Sequence, residues 1–421
     1  MLDTPAPVLG ERLRAFVVAT AAVVVSASVV GAVGYPYLTP AQDFAVYLAA
    51  GRAYFSGGDP YALPGHLPFV YAYPFLWLVR PVVDLPDGLA TVVASGAVGA
   101  TLVATLWVIL QTSGVALARP LQALLVTGLL VLGNQMALCV NLETLNVEAL
   151  CVLCLSMALA RPDQERLFGA LVAVAAAIKP HYALFVVPSL VLQRRIVPIA
   201  LVAGGLAAAY VVPFAVHPAM WHGLLENLGR RSVEHGHWNP SLAVWTVHAL
   251  RLDEAGGQRF VVAFTVVASV AYLLGMREFW RRLPPEGRAI GTLLYFVLVT
   301  PRLKDYSLFL LFLPALCAMG PRARASEDPW CRRLVAGVAL VGVAWLATIV
   351  ACSGARPIFA SPWPVFRVLS MANLAIAFAT MARLLHLYAP GRQGPEDARG
   401  AAETPKRRLF SKATPSPSRA S

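Results

Sequence analysis

Asp43 is the residue with which a chemical reading of this 421-residue chain begins. It sits in Ala41–Tyr61, AQDFAVYLAAGRAYFSGGDPY, where charge, aromatic rings and turn residues crowd together for the first time after a long apolar run. A carboxylate placed so can act as a general base. Asp43, Tyr47 and Tyr54 recur at i, i+4 and i+11, which predicts one side of a helix ending at Ser56-Gly57-Gly58. Five further groups could join it. Lys179, in Lys179-Pro180-His181, could hold a phosphate or pyrophosphate, and Arg302 and Lys304, in Thr300-Pro-Arg-Leu-Lys-Asp305, could clamp an anionic lipid headgroup. Asn146 closes a polar knot that begins at Asn141, and Asn239 follows His235, His237 and Trp238 as a polar ligand contact.

Each of these has a plainer reading. Asp43 could only satisfy a helix N-terminus. Asp59-Pro60 is a turn signal, and Arg52 could pair with Asp43 or Asp59. Lys179 could snorkel to an interface, although it lies about 13 residues from either basic flank with a helix-breaking proline beside it. His181 reads as a helix-packing polar residue. His235 and His237 lack the three or four well-spaced ligands of a zinc site, so no metal is expected. The chain has no Ser-His-Asp set and no carboxylates paired at short spacing, which argues against a hydrolase.

The elements that carry these groups are set by composition. Apolar residues make up 58% and charged residues 13%, with a mean hydropathy of +0.65. Ordinary domains carry about 25% charge. The pattern predicts an all-α polytopic membrane protein with about 12 transmembrane segments. The net charge of +12 does not imply nucleic acid. The arginines sit in short clusters between apolar runs, as cytoplasmic loops require. Six cysteines fall mostly inside those runs and read as small buried hydrophobes rather than disulfides, Cys151 and Cys154 included. Arg12 and Arg14 precede an apolar run of about 20 residues, too long for a cleaved leader, so residues 13–34 are read as an uncleaved first span.

Placing the basic clusters in the cytoplasm yields one topology. The first helix leaves the cytoplasm and puts Asp43 outside. Residues 67–83 are aromatic, proline-broken and too short to cross, and belong at the outer interface. Segments near 88–111, 118–138 and 142–160 follow. Two short apolar halves, 167–178 and 181–193, have basic flanks at both ends, so the Lys179-Pro180 break between them must lie deep. Residues 196–216 go out, 217–257 form the longest outer loop, and 258–276, 289–300, 306–320, 334–352 and 364–387 complete the count. The membrane domain is 1–388. Residues 389–421, rich in Gly, Pro, Ser and charge, read as a disordered basic cytoplasmic tail. Nearly all unusual polar residues then lie outside, and the cytoplasmic loops carry no nucleotide motif.

The order of motifs resembles glycosyltransferase family 87, the polyprenol-phosphate-mannose-dependent mannosyltransferases with the C-type membrane fold. The resemblance rests on Asp43-Phe-x-x-Tyr47, Gly58-Asp-Pro-Tyr61, Tyr71-Ala-Tyr73-Pro-Phe, Leu145-Asn-Val-Glu148, Ala177-Ile-Lys-Pro180, Asn239-Pro-Ser-Leu242 and Thr300-Pro-Arg-x-x-Asp305, over residues 35–320. It implies juxtamembrane helices on the outer face, Asp43 as catalytic base, and the lysine of the Lys-Pro break at Lys179. Substrate contacts are expected from Tyr47, Tyr73, Asn146, Lys179, His237, Asn239, Arg302 and Lys304, with Lys304 standing where the family often has a histidine. The expected partners are a polyprenyl-phosphate-sugar donor, a glycolipid or glycan acceptor and membrane lipids, with no cofactor. The expected location is the plasma membrane, both termini inside and the site facing out. The reading from another class is a transporter or flippase for a lipid-linked or anionic solute, since broken helices also mark transporter sites; a scaffold for cell-wall assembly is a third.

Overall fold

The computed structural model describes residues 9–33, 41–63, 68–113, 128, 135–229, 239, 241–318, 327–353 and 363–389. His237 and the tail beyond residue 389 lie outside them. The described residues form helices and turns with no strand. Among the described residues five helices are long and apolar enough to cross a bilayer, and they mark a membrane-embedded protein: Asp87–Ser113, Ile196–Val216, Glu254–Trp280, Pro329–Cys352 and Arg367–Leu387. Helices of 27 residues reach about 40 Å, enough for a hydrocarbon core of about 30 Å with some tilt. Val262, Val266, Val267, Val270 and Leu274 of Glu254–Trp280 are exposed, which suits a solvent of lipid chains.

The elements near Asp43 are α1 (Leu9–Val33), α2 (Gln42–Phe55), α3 (Leu76–Val83), α4 (Asp87–Ser113), α5 (Gln135–Thr144) and α6 (Glu148–Ala160). Helix α2 ends at Ser56, with Gly57 at φ +86°, a left-handed turn that favours glycine. Arg52 ties α2 to its neighbours: it donates to the carbonyls of Val83 and Leu85 and reaches Asp87 at 2.6 Å. It thus pairs with Asp87 rather than with Asp43 or Asp59. Asp59 accepts from the Tyr61 amide at 2.8 Å, a local turn bond. The short α3, preceded by a 3₁₀ turn at Tyr73–Phe75, leaves Trp77 and Leu78 exposed.

The Lys-Pro break is present. Helix α7 (Glu165–Ile178) stops where Lys179 becomes extended, at φ −132° and ψ 100°. Residues Pro180–Val186 form a 3₁₀ stretch and α8 is Val187–Gln193. Neither half is long enough to cross alone. Both ends of this hairpin are pinned together: Arg195 donates to the Pro162 carbonyl at 2.8 Å and to Asp163 at 3.2 Å, while Arg288 reaches Asp163 at 2.6 Å. The chain therefore goes in and comes back at one end, with Lys179 at the far point.

Helix α9 (Ile196–Val216, with a π turn at Ala207–Val211) packs closely on α7. A Cβ at Gly169 would meet the Pro198 Cα at 2.6 Å, so only glycine permits this approach. The expected long loop at 217–257 is instead partly helical, with α10 at Pro218–Gly229 and α11 at Leu242–Ala249. The local signals are Pro218 at a helix start and Ser241, whose hydroxyl accepts from the Val244 amide as a cap. Helices α12 (Glu254–Trp280), α13 (Pro285–Val299), α14 (Phe312–Cys317), α15 (Pro329–Ser353) and α16 (Trp363–Leu387) complete the described chain.

Candidate active site

Asp43 occupies the first turn of α2 and is half-buried. The chain enters α2 through Ala41, whose left-handed backbone (φ 56°) lets its amide donate to the Glu143 carbonyl at 2.6 Å. This bond fastens the start of α2 to the end of α5. Just beyond, Leu145 is also left-handed (φ 52°) and turns the chain from α5 into α6. Asn146 lies at that turn, 2% exposed, and its Nδ2 donates to Asp43 Oδ2 at 2.6 Å. The amide orientation follows from its other side. Asn146 Oδ1 accepts from the Glu148 backbone N–H at 2.8 Å and from Lys179 Nζ at 3.4 Å, which leaves Nδ2 for the carboxylate.

Lys179 is thereby brought to Asp43 from more than 130 residues away in sequence. Its ammonium meets Glu148 Oε2 at 2.7 Å and stands 5.8 Å from the centre of the Tyr71 ring. Glu148 is fully buried. Its Oε1 accepts a short hydrogen bond from the Tyr182 hydroxyl and another from Ser307 Oγ at 2.7 Å. Three elements therefore converge on one carboxylate: the start of α6, the 3₁₀ stretch after the Lys-Pro break, and a second 3₁₀ stretch at Asp305–Leu311.

The aromatic wall is built by Tyr47 and Tyr71, whose hydroxyls lie 3.1 Å apart, with Phe75 stacked on Tyr71 at 4.8 Å. Tyr47 is therefore beside the cluster. Tyr73 is not: its hydroxyl donates to the Pro213 carbonyl at 3.0 Å and its ring packs on Tyr54, Phe214 and His217. Tyr71, two residues earlier, is the ring that faces the Lys179 ammonium. His181 stacks on Tyr182 and Phe296, the packing role expected of it.

Asn239 is 2% exposed and its Oδ1 accepts from the Leu303 amide at 2.9 Å, while its Nδ2 donates to the Pro301 carbonyl at 3.3 Å. Its amide thus braces the Thr300–Asp305 loop. Lys304, 7% exposed, caps the 3₁₀ stretch whose Ser307 touches Glu148. Arg302 is part-exposed on the same loop. The loop joins the Asp43 cluster through Ser307.

Glu143, near the end of α5 by the polar knot, carries a buried Oε2 with no hydrogen-bond partner among the described residues.

Glu148, Tyr71, Tyr182 and Ser307 are the site residues that sequence reasoning did not select. Glu148 had one visible signal: an acid two residues past Asn146 at the start of an otherwise apolar run. It stands 105 residues from Asp43 in sequence, so it does not form a pair at short spacing. The cluster can hold a carboxylate oxygen in a fixed direction beside an ammonium, an arrangement suited to taking a proton close to a developing negative charge.

Compared with known families, residues 69–301, more than half of the chain, match the model of glycosyltransferase family 87. No curated protein and no solved structure gave a match.

Proposed function

Because the chain belongs to glycosyltransferase family 87, we propose that it is an inverting hexosyltransferase, moving mannose from a polyprenyl-phosphate-sugar donor to a glycolipid or glycan acceptor. The reaction takes place on the outer side of the plasma membrane, in a C-type architecture in which the five long helices and the short or broken ones together make about twelve segments. Asp43 is the base. The observation that carries this reading is the bond from Asn146 to Asp43 Oδ2, since the same amide also contacts Lys179.

Asp43 Oδ1 takes the proton of the acceptor hydroxyl as its oxygen attacks the anomeric carbon. The bond from that carbon to the phosphate oxygen breaks, and its electron pair stays on the lipid phosphate. A phosphate leaving group is already a stabilised anion, so no separate acid is required. Lys179, with Arg302 and Lys304 on the adjacent loop, offsets the charge that develops. Retention would need a second carboxylate free to attack from about 5 Å. Glu148 is the neighbouring candidate, and its two oxygens are occupied by Lys179, Tyr182 and Ser307. One base and one displacement give inversion.

The test is transfer from polyprenyl-phosphate-mannose to a glycolipid acceptor by purified protein. Asp43→Asn should lower the rate at least about a hundredfold while leaving the melting midpoint unchanged. Full activity in that variant would remove Asp43 from the role of base. A wild-type protein that transfers no sugar but moves an anionic solute across vesicles would establish the transporter reading instead.

A further inference from the structure

Glu148 is a carboxylate with 0% exposure placed directly against the ammonium proposed to receive a phosphate. An anion there opposes the binding of another anion. A site built only to attract phosphate would leave Lys179 without it. Its surroundings hold it firmly: Tyr182 and Ser307 both donate to Oε1, Lys179 meets Oε2, and its own backbone N–H fixes Asn146. From these contacts we infer that Glu148 is a positioning residue and counter-charge for Lys179, which sets the ammonium against Asn146 and competes with an entering phosphate for it.

Two consequences follow from this competition. The ammonium is held in place before any ligand arrives, so its direction does not have to be ordered on binding. The same contact weakens the hold on phosphate, and it does so more for the doubly charged lipid phosphate that is left after sugar transfer than for a singly charged phosphodiester. Lys179 thus steadies the donor without trapping the product. The inference rests on the proposed function for the identity of the ligand, but the charge argument itself needs only an anion at Lys179.

The experiment measures binding of undecaprenyl phosphate, without sugar, to the full-length protein in lipid nanodiscs. Glu148→Gln keeps the shape and accepts from the same hydroxyls but removes the charge. It should tighten binding by about tenfold, the scale on which one nearby charge acts at an effective dielectric near 20. Tyr182→Phe takes one donor from Glu148, concentrates its charge on Lys179, and should weaken binding by about threefold. Damage to the fold only weakens binding, so a gain in Glu148→Gln is not a structural side effect. Should Glu148→Gln fail to fold, Tyr182→Phe and Ser307→Ala decide: each removes one donor to Glu148 with little loss of packing and should weaken binding by about threefold in a folded protein, and unchanged binding in both overturns the counter-charge role.

Unchanged or weaker binding by a folded Glu148→Gln overturns the counter-charge role. Absence of binding by both wild type and Glu148→Gln overturns an anion site at Lys179 altogether. Binding with the expected gain, together with no sugar transfer by the wild type, retains the counter-charge and removes the transferase reading, so the two failures are distinct.

Discussion

Asn146 shows how much a single amide can decide. Three polar groups use its two ends, and its 2% exposure leaves no water to substitute for any of them. Asn146→Leu should lower transfer by about a hundredfold, and should also cost about 1–3 kcal/mol of stability because buried polar partners lose their bonds. Kinetics and a melt on the same preparation read the two effects.

The broken α7–α8 hairpin is the element that delivers Lys179, and it depends on how closely α7 lies against α9. At Gly169, any side chain would strike the backbone of Pro198 at 2.6 Å, with Leu201 at 3.0 Å. Gly169→Leu should therefore push α7 outward and destabilise the protein by roughly 1–3 kcal/mol or more. A lowered melting midpoint together with weaker lipid-phosphate binding would show that the displacement reaches Lys179. At this scale much was readable beforehand. A lysine beside a proline within an apolar run requires a break, and basic flanks at both ends require a return to the same side. The helices inside 217–257 were harder to read, because histidines and prolines crowd that stretch and mimic a loop. Tyr71 and Tyr73 could not be separated by spacing, since the chain enters a 3₁₀ turn at Tyr73, whose hydroxyl bonds to Pro213, 140 residues away. Glu148 reads as an ordinary first-turn acid until Tyr182 and Ser307, 34 and 159 residues away, are placed beside it.

For the whole molecule, the proposal places Asp43 and the α7–α8 ends on opposite sides of the membrane. Cys151, Cys154, Cys317, Cys331 and Cys352 are buried, so with Cys139 replaced by serine an introduced thiol can be read against a quiet background. Ser56→Cys, on the exposed turn after α2, should react with a membrane-impermeant maleimide on intact cells. Arg194→Cys, at the turn between α8 and α9, should react only after lysis. The reverse pattern would invert the topology and move the proposed site to the cytoplasm. The clamp of Arg195 and Arg288 on Asp163 predicts that the arms of the hairpin and α13 move as one body at that end.

The pairing of Glu148 with Lys179 also bears on how the chain is made. Glu148 leaves the ribosome 31 residues ahead of Lys179, a delay of roughly 2–6 s at typical synthesis rates of about 5–20 residues per second. During that interval a bare carboxylate waits at the mouth of the insertion machinery, where burial alone is costly. Its counter-ion arrives on the very next hairpin, long before the segment carrying Ser307 exists. The two charges can therefore enter the lipid as a neutral couple, with the Lys179 ammonium offset by Glu148 before any ligand can reach it.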